Sequence, residues 1–131
     1  MKYYILLFLL PGFLSIAAQD VRPLKGISTD EAYDNVKVIP VYSDQDVSTY
    51  VIFVKKKVKL HIHADHTEQV LVLSGKGVMT LGSETIPIRK GDFIIIPKGV
   101  QHSVRVKGRK PLKVLSVQAP QFKGKDRIFI E

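Results

Sequence analysis

Four residues in this sequence have the types and the spacing to hold a metal ion. His61 and His63 stand two apart in Leu60-His61-Ile62-His63-Ala64-Asp65-His66-Thr67-Glu68, inside a run of β-forming residues. Side chains alternate faces along a strand, so both imidazoles share one face, about 7 Å apart, and can lean onto one ion. After a tight turn, Glu68 opens the next apolar run and returns a carboxylate to the same side. His102 is the candidate for a fourth donor. It follows a turn at Gly91-Asp92, the apolar run Phe93 to Ile96, and a second turn at Pro97-Lys98-Gly99. From there His102, Val104 and Val106 alternate with Ser103, Arg105 and Lys107. The two cations want water, so His102 faces the interior. A lone inward histidine is ordinarily a core residue with its hydrogen bonds satisfied, but one that meets three other donors is a ligand candidate. Three imidazoles and a carboxylate, without sulfur, suit one divalent transition ion: Mn, Fe, Ni, Cu, Co or Zn. On an octahedral ion they leave two positions open for water, substrate or O₂, as a catalytic site requires.

The two stretches resemble the two motifs of the cupin superfamily. The first, G-x5-H-x-H-x(3,4)-E-x6-G, is met at His61, His63, Glu68 and Gly75. The second, G-x5-P-x-G-x2-H-x3-N, is met at Gly91, Pro97, Gly99 and His102. The fifteen residues between them, Lys76 to Lys90, are a short separation for the superfamily. Lys55 replaces the opening glycine and Val106 the closing asparagine, neither of which is a ligand position. Lysine tolerates positive φ poorly, so the turn at Lys55 should be one that needs none. The resemblance covers residues 36–118. It implies an all-β double-stranded β-helix, a jelly-roll barrel, and a metal held by His61, His63, Glu68 and His102.

The elements that must position these side chains are short strands. Runs near 36–42, 49–54, 58–63, 68–73, 77–81, 85–88, 93–96, 101–107 and 112–118 read as β, separated by Gly, Pro, Ser and Asp turns. Many short strands without a long amphipathic helix mean a sandwich or barrel. Ahead of them, Ser28-Thr29-Asp30-Glu31 fits a capping box and predicts one or two helical turns ending near Asn35. The apolar Ile128-Phe129-Ile130 is suited to pairing along an edge. Leu60, Ile62, Leu71 and Leu73 lie opposite the inward residues, so the sheet should be covered on both faces, by the N-terminal segment or by a second subunit in a homodimer.

Three residues border the site without a ligand position. His66 lies in the loop after His63, where a histidine is ordinarily solvated, although it could act as a base or alternative ligand. Lys57 and Lys59 share strand parity with His61 and His63 and could hold a substrate carboxylate, but lysines at strand ends more often snorkel outward. Tyr50, Thr80, Gln101 and Gln118 are further candidates for the pocket lining.

Residues 1–18 read as a secretory signal peptide: Lys2, an apolar run from Tyr3 to Leu10, a Pro11-Gly12 break and small residues to Ala18. The expected organisation is therefore 1–18 signal peptide, 19–35 arm with a short helix, and 36–131 cupin domain, in a periplasmic or secreted protein with no stable membrane anchor after cleavage. There is no cysteine, so neither a disulfide nor a lipoprotein attachment is available. The formal net charge is +8, and +7 without Lys2 (8 − 1), which favours small anionic ligands; the sequence resembles no nucleic-acid module. Two functions remain: a small metalloenzyme of oxygenase, isomerase, epimerase or lyase type acting on a small molecule or sugar, or a non-catalytic module that binds metal or a sugar-like ligand.

Overall fold

Strands form where the β-branched runs predict them. The computed structural model describes residues 20–131, so the signal-peptide reading of 1–18 lies outside the described residues. The strands are β1 (Val36–Ser43), β2 (Ser48–Val54), β3 (Lys57–His63), β4 (Thr67–Ser74), β5 (Lys76–Leu81), β6 (Glu84–Arg89), β7 (Phe93–Ile96), β8 (His102–Val106), β9 (Leu112–Ala119) and β10 (Arg127–Phe129). They build two five-stranded antiparallel sheets, ordered β1-β2-β9-β4-β7 and β10-β3-β8-β5-β6. Alternate residues from the two inner faces meet in one core, with Val54, Val70, Val72, Met79, Ile88, Ile96, Leu112 and Val114 buried. This is the jelly-roll architecture that the resemblance implies.

Two turns decide where the ligand-bearing strands lie. Gly75, closing β4, has φ 83°, and a Cβ there would come within 2.5 Å of the Pro111 carbonyl oxygen. Only glycine fits both the backbone and the space. The turn at Lys55 needs no such freedom: among the described residues only glycines have positive φ. The Asn35 carboxamide instead ties that turn, accepting from the Lys56 and Lys57 amides at 3.0 and 3.1 Å and donating to the Lys57 carbonyl at 2.8 Å.

One expectation needs correction. No helix starts at Ser28. The helical turn of the arm is a 3-10 turn at Leu24–Gly26, and the Ser28 hydroxyl bonds the Asp30 carboxylate at 3.2 Å instead of capping an amide. Lys113 Nζ donates to the Leu24 and Ile27 carbonyls at 2.8 and 2.7 Å, which ties this turn to β9. Lys57 takes the outward alternative rather than the face that simple parity gives it. The register of β3 on β8 shifts between Val58 and His61, so Val58 and His61 both face inward and Lys57 pairs with Arg105 on the outer face.

Candidate metal centre

The bulge in β3 places His61 directly opposite His102 of β8, and His63 two residues further along β3. The ring centroids lie 4.1 Å apart for His61–His102, 5.1 Å for His61–His63 and 5.4 Å for His63–His102. One nitrogen from each ring falls within 4.8 Å of the other two. Glu68 reaches the cluster from β4 in the facing sheet, with Oε2 3.5 Å from His63 Nε2 and 3.3 Å from His102 Nε2. All four side chains are buried.

Hydrogen bonds at the far side of each ring fix its tautomer. His61 Nδ1 donates to the Lys59 carbonyl at 2.7 Å, and His102 Nδ1 donates to the Val100 carbonyl at 3.0 Å. His63 Nδ1 faces Asp126 Oδ1 at 3.4 Å. A carbonyl only accepts, so the proton sits on Nδ1 and Nε2 carries a lone pair. The Nε2 atoms of His63 and His102 are buried without any hydrogen-bond partner. In this tautomer lone pairs and a carboxylate converge, which is costly unless a cation, a proton or a metal ion, lies among them. By this test the donor set fits a divalent ion.

The electrostatics agree. Burial pushes the His61 imidazole down to about 4, with Lys59 opposing and His102, Arg127 and His63 adding to the fall, so the ring is neutral near pH 7. Burial works to raise the Glu68 carboxyl, but His102, His63 and Ser116 outweigh it and hold the group well below the usual carboxylate range. Ser116 Oγ donates to Glu68 Oε1 at 2.5 Å, and Gln118 Nε2 approaches the same oxygen at 3.4 Å. Ser116 was not singled out in the sequence, yet a signal exists: Leu112, Val114, Ser116 and Gln118 share the buried face of β9, and two of them are polar.

His66 is neither solvated nor a ligand. It is buried, with Nδ1 against Asp126 Oδ2 and Nε2 2.8 Å from the Gln121 carbonyl. Both partners are acceptors, so both nitrogens donate and the ring is cationic. Burial alone would lower its pKa, but Asp126 and the Gln121 carbonyl outweigh this and raise it. Asp126 therefore joins His66 to His63, and its carboxylate also accepts from the Asp65 amide at 3.3 Å. Nothing in the local sequence marks Asp126, because its partners are some sixty positions away. The segment carrying it closes one side of the site: Phe122 packs edge-on to His63 and His66, and β10 pairs with β3.

Inside the barrel a cavity of about 690 Å³ reaches His61, Glu68 and His102. Its walls include Val54, Val70, Met79, Ile96, Leu112 and Val114; Lys57 and Lys59 border it from β3, and Arg127, Phe129 and Glu131 from the C-terminal segment. Of the further pocket candidates, Tyr50, Thr80, Gln101 and Gln118 do not line this cavity.

The chain belongs to the cupin family: the Cupin_2 family model, described as a cupin domain, matches residues 50–118. An uncharacterised protein of Aquifex aeolicus is 31% identical over 98 residues, covering 75% of this chain and 80% of that protein. L-ectoine synthase of Aliivibrio fischeri is 27% identical over 96 residues, covering 72% and 75%. Among solved structures, the Streptomyces nucleoside dehydratase PAC13 with uridine superimposes with a TM-score of 0.67 at 17% identity, covering 77% of this chain and 82% of that one. At that identity the likeness is one of fold.

Proposed function

We propose that the chain is an exported metalloenzyme whose single divalent ion, held by His61, His63, Glu68 and His102, acts on a small molecule or sugar admitted into the barrel. The observation that supports this is the pair of buried, unpartnered Nε2 atoms facing a carboxylate at the end of a cavity. A purely structural site would be enclosed by protein on every side. When bound, the ion supplies a Lewis acid that polarises an oxygen of the bound molecule. The chain's own residues do the rest: Lys59, Val100 and Asp126 orient the rings, Ser116 fixes Glu68, and the aliphatic walls exclude water. Among oxygenase, isomerase, epimerase and lyase chemistry, the shared fold of a nucleoside dehydratase makes elimination of water the first to test.

One observation favours the second reading, a non-catalytic metal- or sugar-binding module. The deep walls of the cavity are aliphatic, and His66, the extra histidine nearby, has both nitrogens donating and offers no base. Elemental analysis of protein produced in a bacterial periplasm, followed by turnover assays on loaded and chelated protein, separates the two. One equivalent of ion with metal-dependent turnover supports the enzyme, and one equivalent with ligand binding but no turnover supports the module. Protein that stays empty across Mn, Fe, Ni, Cu, Co and Zn defeats the metalloenzyme and the metal-binding module, and leaves only a sugar-binding one.

Export rests on the character of residues 1–18 and predicts a mature N-terminus near Gln19 by mass analysis; an intact Met1 on periplasmic protein contradicts it. A homodimer is the remaining part of the reading. Phe93 and Ile95 are exposed on β7, beside Leu71 of β4, and sedimentation of the purified protein tests whether a second copy covers them.

A further inference from the structure

The outer face of the second sheet carries a pattern that stability alone does not account for. Lys57 pairs directly with Arg105, and Arg105 in turn with Val78, so two cations stand opposite each other across β3 and β8. Like charges in that position destabilise a sheet. The next row towards the β5–β6 end repeats it: the Lys107 amide bonds the Lys76 carbonyl at 3.0 Å, and Lys76 pairs with Arg89. None of these five cations is ion-paired among the described residues. On the other side of the Lys57–Arg105 row lies a row of hydroxyls, Ser103 paired with Thr80. A groove of about 540 Å³ runs over this face, bordered by Lys57, Lys59, Arg105 and Lys107, and neither a carboxylate nor an aromatic side chain lines it.

We propose that this face binds a polyuronate, a polysaccharide with a carboxylate on each sugar, lying across the strands. Neighbouring strands are about 4.8 Å apart, so a chain crossing them meets cations at intervals close to the length of one sugar. Its carboxylates relieve the cation rows, while the Ser103 and Thr80 hydroxyls bond sugar hydroxyls. A nucleic acid strand would lack the aromatic platforms its bases stack on. A second copy docking through this same face would set these cations against one another, unlike the apolar β7 face considered for a homodimer. The groove shares Lys57, Lys59 and Ser103 with the border of the barrel cavity, but none of the four proposed metal ligands lines it, and it does not rest on the reaction proposed there.

Calorimetric titration of the purified chain with an oligogalacturonate tests the proposal. Binding at low salt is expected, weakening as salt rises and absent for a neutral dextran oligomer. The double variant K57S/R105S should bind about tenfold more weakly, and Arg105→Gln alone about threefold. Both should melt at or above the wild-type temperature, because the like-charge pair is gone. Chelation and His102→Ala should leave the affinity unchanged, which separates this face from the barrel interior. No binding at low salt, equal binding by both variants, loss of binding on chelation, or tighter binding to single-stranded DNA or to phosphatidylglycerol vesicles would each overturn the proposal.

Discussion

The inner and outer faces of β3 and β8 solve opposite problems with the same pairing. Inside, His61 stands opposite His102; outside, Lys57 stands opposite Arg105. Each pair sets like groups together, lone pairs within and positive charges without, and each costs stability until something of the opposite character arrives. The half-turn of parity at the bulge between Val58 and His61 keeps the two sets apart. Without it, Lys57 would share a face with the imidazoles and oppose any cation held among them. The comparison teaches that an unsatisfied pair is informative in proportion to how completely the fold refuses to satisfy it. The buried Nε2 atoms have no recourse to water, whereas the outer cations do.

That asymmetry orders the tests. The largest effect should come from the interior: metal at a hundred times its dissociation constant should stabilise the protein by about 2.7 kcal/mol, read by thermal or denaturant unfolding. His102→Ala should abolish that gain and leave the protein without bound metal by elemental analysis. Asp126→Asn keeps all four donors but loosens His63, and metal affinity by competitive chelator titration should fall about 10- to 100-fold. His66→Ala, which removes a partner of Asp126 rather than a donor, should cost about 1–3 kcal/mol of stability while metal content at saturation stays the same.

The pH dependence of the metal-free protein sharpens the contrast. The His61 pKa is lowered on folding to about 4, so between about 6.5 and 4 the unfolded chain binds a proton that the folded chain refuses. Stability from this group is therefore full above pH 6.5 and falls as pH drops towards 4. His61→Gln should flatten that part of the profile in denaturant titrations run at a series of pH values.

The smallest effects lie at the surface. Lys55→Gly should be neutral or destabilising by up to about 1 kcal/mol, since its turn uses no positive φ and glycine only frees the unfolded chain. A clear gain on melting would mean the lysine is strained. Val78→Glu puts a carboxylate opposite Arg105 and should add about 0.2–1 kcal/mol while weakening oligogalacturonate binding.

Nearly all of the strand framework was legible in the sequence, because β-branched runs, period-two alternation and Gly or Pro turns are local signals. The proximity of His61, His63 and His102 was legible for the same reason, helped by two motifs of fixed spacing. What the sequence did not disclose depends on contacts between distant segments. A single register shift put Lys57 on the other face from that assigned by parity. The helical turn of the arm formed at Leu24–Gly26, where Lys113 bonds the flanking carbonyls, and not at Ser28. His66 read as a loop residue because Asp126 and Gln121, which bury it, lie far along the chain.

The position of Asp126 also sets an order of events. Every residue facing the proposed ion lies between 61 and 102, but the carboxylate that orients His63 is synthesised later, on the segment that closes the barrel with β10. A nascent chain thus presents three histidines and a glutamate before the carboxylate that orients His63 exists. On the proposed reading, full affinity for an ion waits for the last segment to dock, which makes folding of the C-terminal strand part of the metal site.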